Sequence, residues 1–89
     1  MAWRIEFERA AARELEKPAR QAAERVLRFL RDRVAPLDDA RSIGQALKGA
    51  RFGEFWKYRI GDYRLIVRIE DAETLILVLR VAHRREVYR

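Results

Sequence analysis

Cationic side chains around a tight turn are the part of this sequence that could do chemistry. Gly61-Asp62 separates two runs of alternating residues, which is typical of a two-residue β-hairpin turn in which glycine supplies a positive φ. Such a turn pairs Arg59 with Arg64, and side-chain alternation places Lys57 on the same face. Directly opposed like charges destabilise a sheet. The arrangement therefore indicates a face that binds a polyanion and not one that was shaped only for the stability of the sheet.

The segment Thr74–Val81 extends this basic face. It is almost entirely apolar and predicts a central strand that is buried on both sides. If its core-facing side chains alternate strictly, Arg80 faces the same side as the hairpin arginines, and continued alternation adds Arg84. The side chains predicted to face the core are Leu75, Leu77, Leu79 and Val81.

Few acidic residues accompany this face. Arg68 continues it along the second hairpin strand, and Glu70 is the only nearby acidic candidate. We therefore expect an exposed and uncompensated basic face that includes Arg64. The alternative is a solvated sheet face that happens to be rich in arginine.

Two helices and one further strand must position the hairpin. Apolar residues alternate over 3–7, which predicts a strand, whereas 8–17 has a helical composition. A period of 3.6 residues marks an amphipathic helix over about 19–34, which Pro36 ends. The segment 37–53 is predicted as a long loop, with one helical turn around Ile43–Leu47.

Three strands complete the order β-α-α-β-β-β. They are predicted over 55–60, 63–69 and 74–81. No linker or repeat divides the chain, so residues 1–89 are predicted as a single α+β domain. In this domain an antiparallel sheet, which the first strand joins, carries two N-terminal helices on one face.

Composition limits the function classes. Twenty Lys and Arg residues, 17 of them Arg, against 14 Asp and Glu give a net charge of +6, which favours a polyanionic partner; a source that prefers arginine everywhere would explain the bias equally well. With no Cys and one His, disulfides, thiolate metal sites and multi-His metal sites are excluded. We expect no metal or cofactor. No apolar run is long enough to span a membrane, and we expect a cytoplasmic protein with no membrane role.

These residues resemble the RelE branch of the RelE/ParE toxin superfamily over essentially the whole chain. The hairpin and C-terminal motifs, together and in this order, are the specific part of the resemblance. The matching segments are Trp3-Arg4-Ile5-Glu6-Phe7, Ala46-Leu47-Lys48-Gly49, Trp56-Lys57-Tyr58-Arg59-Ile60-Gly61-Asp62-Tyr63-Arg64-Leu65 and Val81-Ala82-His83-Arg84-Arg85-Glu86-Val87-Tyr88.

The resemblance implies a RelE-like fold and an mRNA endoribonuclease of a toxin–antitoxin system. Such toxins occupy the ribosomal A site, where the ribose 2′-hydroxyl attacks the adjacent phosphate without a metal. This chemistry needs a base, cations for the developing phosphorane charge and an acid. The implied partners are mRNA, the ribosome and a cognate antitoxin. By position, the implied catalytic residues are Lys57, Arg59, Arg64, Arg84 and Tyr88, with Arg84 as the acid, and the implied RNA-binding residues are Arg68, Arg80, His83 and Arg85.

One departure from the family leaves the general base open. Where the best-known member has a second lysine this chain has Arg59, and a guanidinium is a poor base because it stays protonated. Lys57, among cationic neighbours that favour its neutral form, is one candidate. His83 is the other, since imidazole titrates near neutral pH, although it could equally be a packed structural residue. Likewise, Tyr88 could simply pack on the sheet.

Two other functions remain open from the sequence. The ParE-like branch shares the fold but inhibits DNA gyrase, and it generally lacks a full basic catalytic set. An RNA-binding module without turnover is the third possibility.

Overall fold

The computed structural model describes residues 2–17, 20–47 and 55–83. Within them, five strands form one sheet in the order β1-β5-β4-β3-β2, and two helices pack against it. The α+β class expected from the sequence, with two N-terminal helices packed against a sheet, is confirmed. The elements are β1 (Arg4–Phe7), α1 (Arg9–Glu16), α2 (Arg20–Phe29), β2 (Gln45–Ala46), β3 (Phe55–Ile60), β4 (Tyr63–Glu70) and β5 (Leu75–His83).

The second helix ends as the sequence predicts, but with a wider turn. After α2 the backbone continues as one π-helical turn over Leu30–Val34. The amide of Ala35 donates to the carbonyl of Leu30 at 2.8 Å, a spacing of five residues. Leu30 and Val34 are buried there, so the apolar stripe of the helix reaches the sheet through this turn.

The sheet is mixed, whereas the sequence predicted an antiparallel one. β1 pairs with β5 in parallel, Phe7 lying opposite Val78, while the other pairings are antiparallel. A helical turn was predicted around 43–47, but Gln45 and Ala46 form the short strand β2 against β3. That helical turn was wrong because pairing with an exposed sheet edge decides the conformation of so short a segment.

The predicted alternation along β5 was also wrong, because the strand contains a bulge. Ile66 lies opposite Arg80 but Val67 lies opposite Val78, so Leu79 is an extra residue. Because of this extra residue, every residue of β5 before Leu79 points to the face opposite to the predicted one. Ile76 and Val78 therefore enter the core with no exposed surface, whereas Leu77 lies opposite Arg68 and remains partly exposed.

Two contacts tie the loop after α2 to the sheet. The hydroxyl of Tyr58 donates to the carbonyl of Ala40 at 2.6 Å in the core. Arg41 forms a bidentate ion pair with Asp71, its two terminal nitrogens lying 2.9 and 2.7 Å from the carboxylate oxygens. Burial raises the pKa of Tyr58 to about 12, so its hydroxyl stays protonated and can donate.

No helix in the described residues is long and apolar enough to cross a membrane.

Candidate active site

The β3–β4 hairpin carries the centre of the candidate site. Its register is the one predicted from the turn: Arg59 lies opposite Arg64, and Lys57 lies opposite Ile66. Gly61 has a φ of 57° and supplies the positive φ that the turn needs. Lys57, Arg59 and Arg64 therefore stand on one face of two adjacent strands, as the sequence indicated.

The exposure of these three cations differs, which the sequence did not predict. Arg59 is exposed and Lys57 is half-buried, but only 7% of Arg64 is exposed. Arg64 was expected on an open basic face. Arg64 lies on the interior strand β4, where Arg59 of β3 and Ala82 of β5 flank it on either side.

Burial of Arg64 affects what the site can do with an anion. A guanidinium on an interior strand is held with little freedom to reorient, and it keeps its charge at any physiological pH. Charge at a position of low dielectric acts more strongly on a bound anion than charge in water. Arg64 can therefore act as a fixed cation, with the exposed Arg59 and the half-buried Lys57 beside it.

Arg68 and Arg80, predicted to bind RNA, both have carboxylate partners. Arg68 forms an ion pair with Glu70 of its own strand. The prediction that Glu70 is the only nearby acidic residue was wrong, because Glu14 of α1 contacts Arg80. The Glu14 carboxylate accepts from Arg80 Nε at 3.0 Å and Nη2 at 2.7 Å.

His83 lies on the other face of the sheet from Arg64. It is paired with Tyr63, the immediate neighbour of Arg64 in β4, and side chains of adjacent residues point to opposite faces. The rings of His83 and Tyr63 meet edge to face, with centroids 5.1 Å apart and an interplanar angle of 85°. The described geometry therefore brings Lys57, Arg59 and Arg64 together and separates His83 from them.

The remaining predicted residues, Arg84, Arg85 and Tyr88, lie outside the described residues. Within the described parts of the chain, no group of three or more His, Cys, Asp and Glu side chains gathers in a way that could hold a metal ion.

Sequence reasoning missed Glu14. Its charge was visible, but its partner Arg80 comes 66 residues later, and no local spacing connects the two. The helical composition of 8–17 predicted the element without predicting the direction in which its acidic residues point. Only the packing of α1 beside the end of β5 brings the pair together.

An apolar groove lies away from the hairpin, between β1 and α2. It has a volume of about 300 Å³ and includes Ile5, Phe7 and Leu27 among its lining residues. Leu27 is 45% exposed, which is unusual for a leucine on an amphipathic helix whose stripe otherwise enters the core. Arg31 stands at the rim, with its side chain 74% exposed.

Comparison with known proteins places this arrangement in a family. The model described as the ParE toxin of the type II toxin–antitoxin system, parDE, matches residues 5–88. The chain belongs to this family of type II toxin–antitoxin toxins, within the RelE/ParE group.

Individual relatives are of the RelE type. Toxin RelG of Mycobacterium tuberculosis is 43% identical over 47 residues, which is 53% of this chain and 53% of RelG, so the match spans about half the length of that relative. The RelBE2 toxin–antitoxin complex of M. tuberculosis contains a chain with a TM-score of 0.83 and 27% identity, with 94% of this chain and 93% of that chain covered. A mutant of E. coli toxin RelE in complex with an antitoxin RelB peptide has a TM-score of 0.73 and 25% identity, with 99% and 92% covered.

Proposed function

We propose that this toxin is a metal-independent endoribonuclease that cleaves messenger RNA in the ribosomal A site and thereby inhibits translation. The observation that carries the proposal is the opposition of Arg59 and Arg64 on the hairpin, with Arg64 buried. Two guanidiniums in register destabilise a sheet, and a sheet under selection for stability alone would place a carboxylate or a threonine at one of these positions. The similarity to RelE-type toxins supports the same function.

The hairpin cations fit the charge changes of this reaction. When a ribose 2′-hydroxyl attacks the adjacent phosphate, negative charge grows on the non-bridging oxygens. Arg64, fixed on an interior strand, would meet that charge with little reorganisation. Arg59, exposed beside it, would bind the backbone phosphate on arrival.

The sheet geometry favours Lys57 over His83 as the general base. Lys57 shares the face of Arg59 and Arg64, whereas His83 packs against Tyr63 on the opposite face. A base must reach the hydroxyl whose proton it removes while the phosphate contacts the cations. Of the two candidates, Lys57 is the one on the face of those cations. Arg84 and Tyr88 complete the proposed set as acid and substrate-orienting residue, by family position.

We further propose a cognate antitoxin as the partner of this toxin in the cytoplasm. The solved relatives include toxin–antitoxin complexes. The apolar groove with the exposed Leu27 suits the apolar stripe of an amphipathic helix. The net charge of +6 favours an acidic partner.

Inhibition of DNA gyrase is the second candidate function, since the matching family model is described as a ParE toxin. The two candidates predict different activities in one experiment. Purified toxin is incubated with ribosomes programmed with a defined messenger, and separately with gyrase and relaxed plasmid. We expect the messenger to be cleaved by toxin that was treated with EDTA and freed of the chelator before it meets intact ribosomes, and we expect supercoiling to be unchanged. Inhibited supercoiling with an intact messenger would favour the gyrase function, and RNA binding without either effect would favour a binding module.

A further inference from the structure

Among the residues that the structure describes, no strand pairs with the end of β5 on one side. β1 pairs with β5 only as far as Phe7 and Val78, and the amide of Glu8 closes the pairing by donating to the carbonyl of Val78 at 2.9 Å. The chain then turns into α1, while β5 continues to His83. The backbone of residues 79–83 is therefore a sheet edge on this side. An edge without pairing is the part of a sheet most easily distorted.

The Glu14 carboxylate lies against this edge of β5. Its Oε1 accepts from the amide of Val81 at 2.9 Å, and the same carboxylate accepts from Arg80 Nε and Nη2 at 3.0 and 2.7 Å. The Glu14 side chain is 16% exposed. One carboxylate thus binds the side chain of one residue of β5 and the backbone amide of the next. Because the carboxylate is charged, these hydrogen bonds are stronger than hydrogen bonds between neutral groups.

The segment that Glu14 holds lies directly beside the candidate site. Ala82 of β5 is paired with Arg64 of β4. Arg80 of β5 is paired with Ile66 of β4, and Ile66 is paired on its other side with Lys57 of β3. The bulge at Leu79 interrupts the β4–β5 pairing just before this stretch. A displacement of residues 80–82 would therefore change the wall against which Arg64 is buried.

We propose that Glu14 is a positioning residue for the ribonuclease: it fixes the Arg80–Val81 edge of β5 so that Arg64 keeps its orientation toward the substrate phosphate. This inference rests on the proposed function. Hydrogen bonds from Arg80 hold the pKa of Glu14 below its ordinary value, so the carboxylate is charged at neutral pH. Glu14 does not touch the substrate and acts only through β5.

The test compares Glu14→Gln with the matched control Glu24→Gln. Glutamine keeps the size of the side chain but removes the charge that binds Arg80. Glu24 also pairs with an arginine on a helix, Arg20 at 3.3 Å, but the pair is exposed and lies on α2. Each variant is measured for its single-turnover cleavage rate on programmed ribosomes, its half-saturating ribosome concentration, its amide exchange at Val81 and its melting temperature.

We expect Glu14→Gln to lower the single-turnover rate about tenfold at an unchanged half-saturating concentration, because misplacement of a catalytic group costs rate rather than binding. Amide exchange at Val81 should accelerate at least about tenfold, because the amide loses its charged acceptor. Glu24→Gln should match the parent in all four measurements. A rate equal to that of the parent, or one that falls only with the folded fraction, overturns the inference.

Failure of the proposed function is distinguishable from failure of this inference. If the parent protein does not cleave the messenger, the ribonuclease assignment is wrong. Amide exchange at Val81 then still tests whether Glu14 holds the edge of β5. Unchanged exchange at Val81 in Glu14→Gln would show that the carboxylate does not hold β5.

Discussion

Arg59 and Arg64 occupy directly opposed positions on β3 and β4, yet Arg59 is exposed to solvent whereas Arg64 is buried, with 7% of its surface exposed. Repulsion between them is the stability cost of placing two cations where a single phosphate could contact both. The two side chains differ in role accordingly: Arg64 is held by its surroundings, and Arg59 is open to solvent and to a ligand.

Arg59→Gln separates these effects. Removal of one like charge from the opposed pair should raise the free energy of unfolding by about 0.2–1 kcal/mol, while the half-saturating ribosome concentration for cleavage rises at least about tenfold because a phosphate-binding cation is lost. Urea denaturation and single-turnover cleavage over a series of ribosome concentrations measure the two quantities. Arg28→Gln on α2, also exposed, should change neither. Loss of stability in Arg59→Gln would show that the opposed charges are compensated.

The bulge in β5 makes a prediction about the core. Ile76 has no exposed surface, whereas Leu77 faces Arg68 and is half-buried. Ile76→Ala should therefore cost about 2–5 kcal/mol of unfolding free energy, as for other buried large-to-small changes, and Leu77→Ala should cost clearly less. Urea denaturation of both variants measures the difference. An equal or larger loss in Leu77→Ala would restore the strict alternation expected from the sequence.

The hydrogen bond from Tyr58 to Ala40 predicts a pH dependence. The pKa of Tyr58 is raised from 10.0 to about 12, so the folded protein holds the phenolic proton more tightly than the unfolded chain does. The stability that this group contributes is fully present below pH 10 and is lost as the pH rises from about 10 to 12.

Tyr58→Phe removes both the bond and its titration. The variant should lose about 1–3 kcal/mol at neutral pH, because the buried carbonyl of Ala40 is left without its donor. The gap between parent and variant should narrow from pH 10 to 12, as followed by denaturation at each pH. A constant gap across that range would contradict the assignment.

The groove between β1 and α2 predicts where the antitoxin binds. Leu27→Asp places a charge at its edge and should weaken antitoxin binding at least about tenfold, while cleavage by the free toxin is unchanged. Ile43→Asp is the matched control, since Ile43 is 38% exposed and lies in the loop before β2. Isothermal titration with the cognate antitoxin measures both. Equal weakening by the two changes would place the interface elsewhere.

The hairpin was predictable from sequence because a two-residue turn fixes the register of its strands locally. Arg59 and Arg64 could thus be paired from Gly61 and Asp62 alone. The parallel pairing of β1, the bulge at Leu79 and the contact of Glu14 with Arg80 depend on elements far apart in the chain. No local pattern encodes them, and this is why the burial of Arg64 and the acidic partner of Arg80 were not foreseen.

The proposed ribonuclease depends on Arg64 to stabilise charge on a messenger phosphate. Arg64→Met tests this dependence most directly, because methionine retains an unbranched apolar chain at this buried position and removes only the guanidinium. Arg28→Met, with the same loss of charge on α2, is the control. The measurement is the single-turnover cleavage rate on programmed ribosomes, with circular dichroism melts of each protein. We expect a loss of about 10²–10³-fold for Arg64→Met in a folded protein and none for Arg28→Met. Cleavage by folded Arg64→Met at the rate of the parent would contradict this dependence.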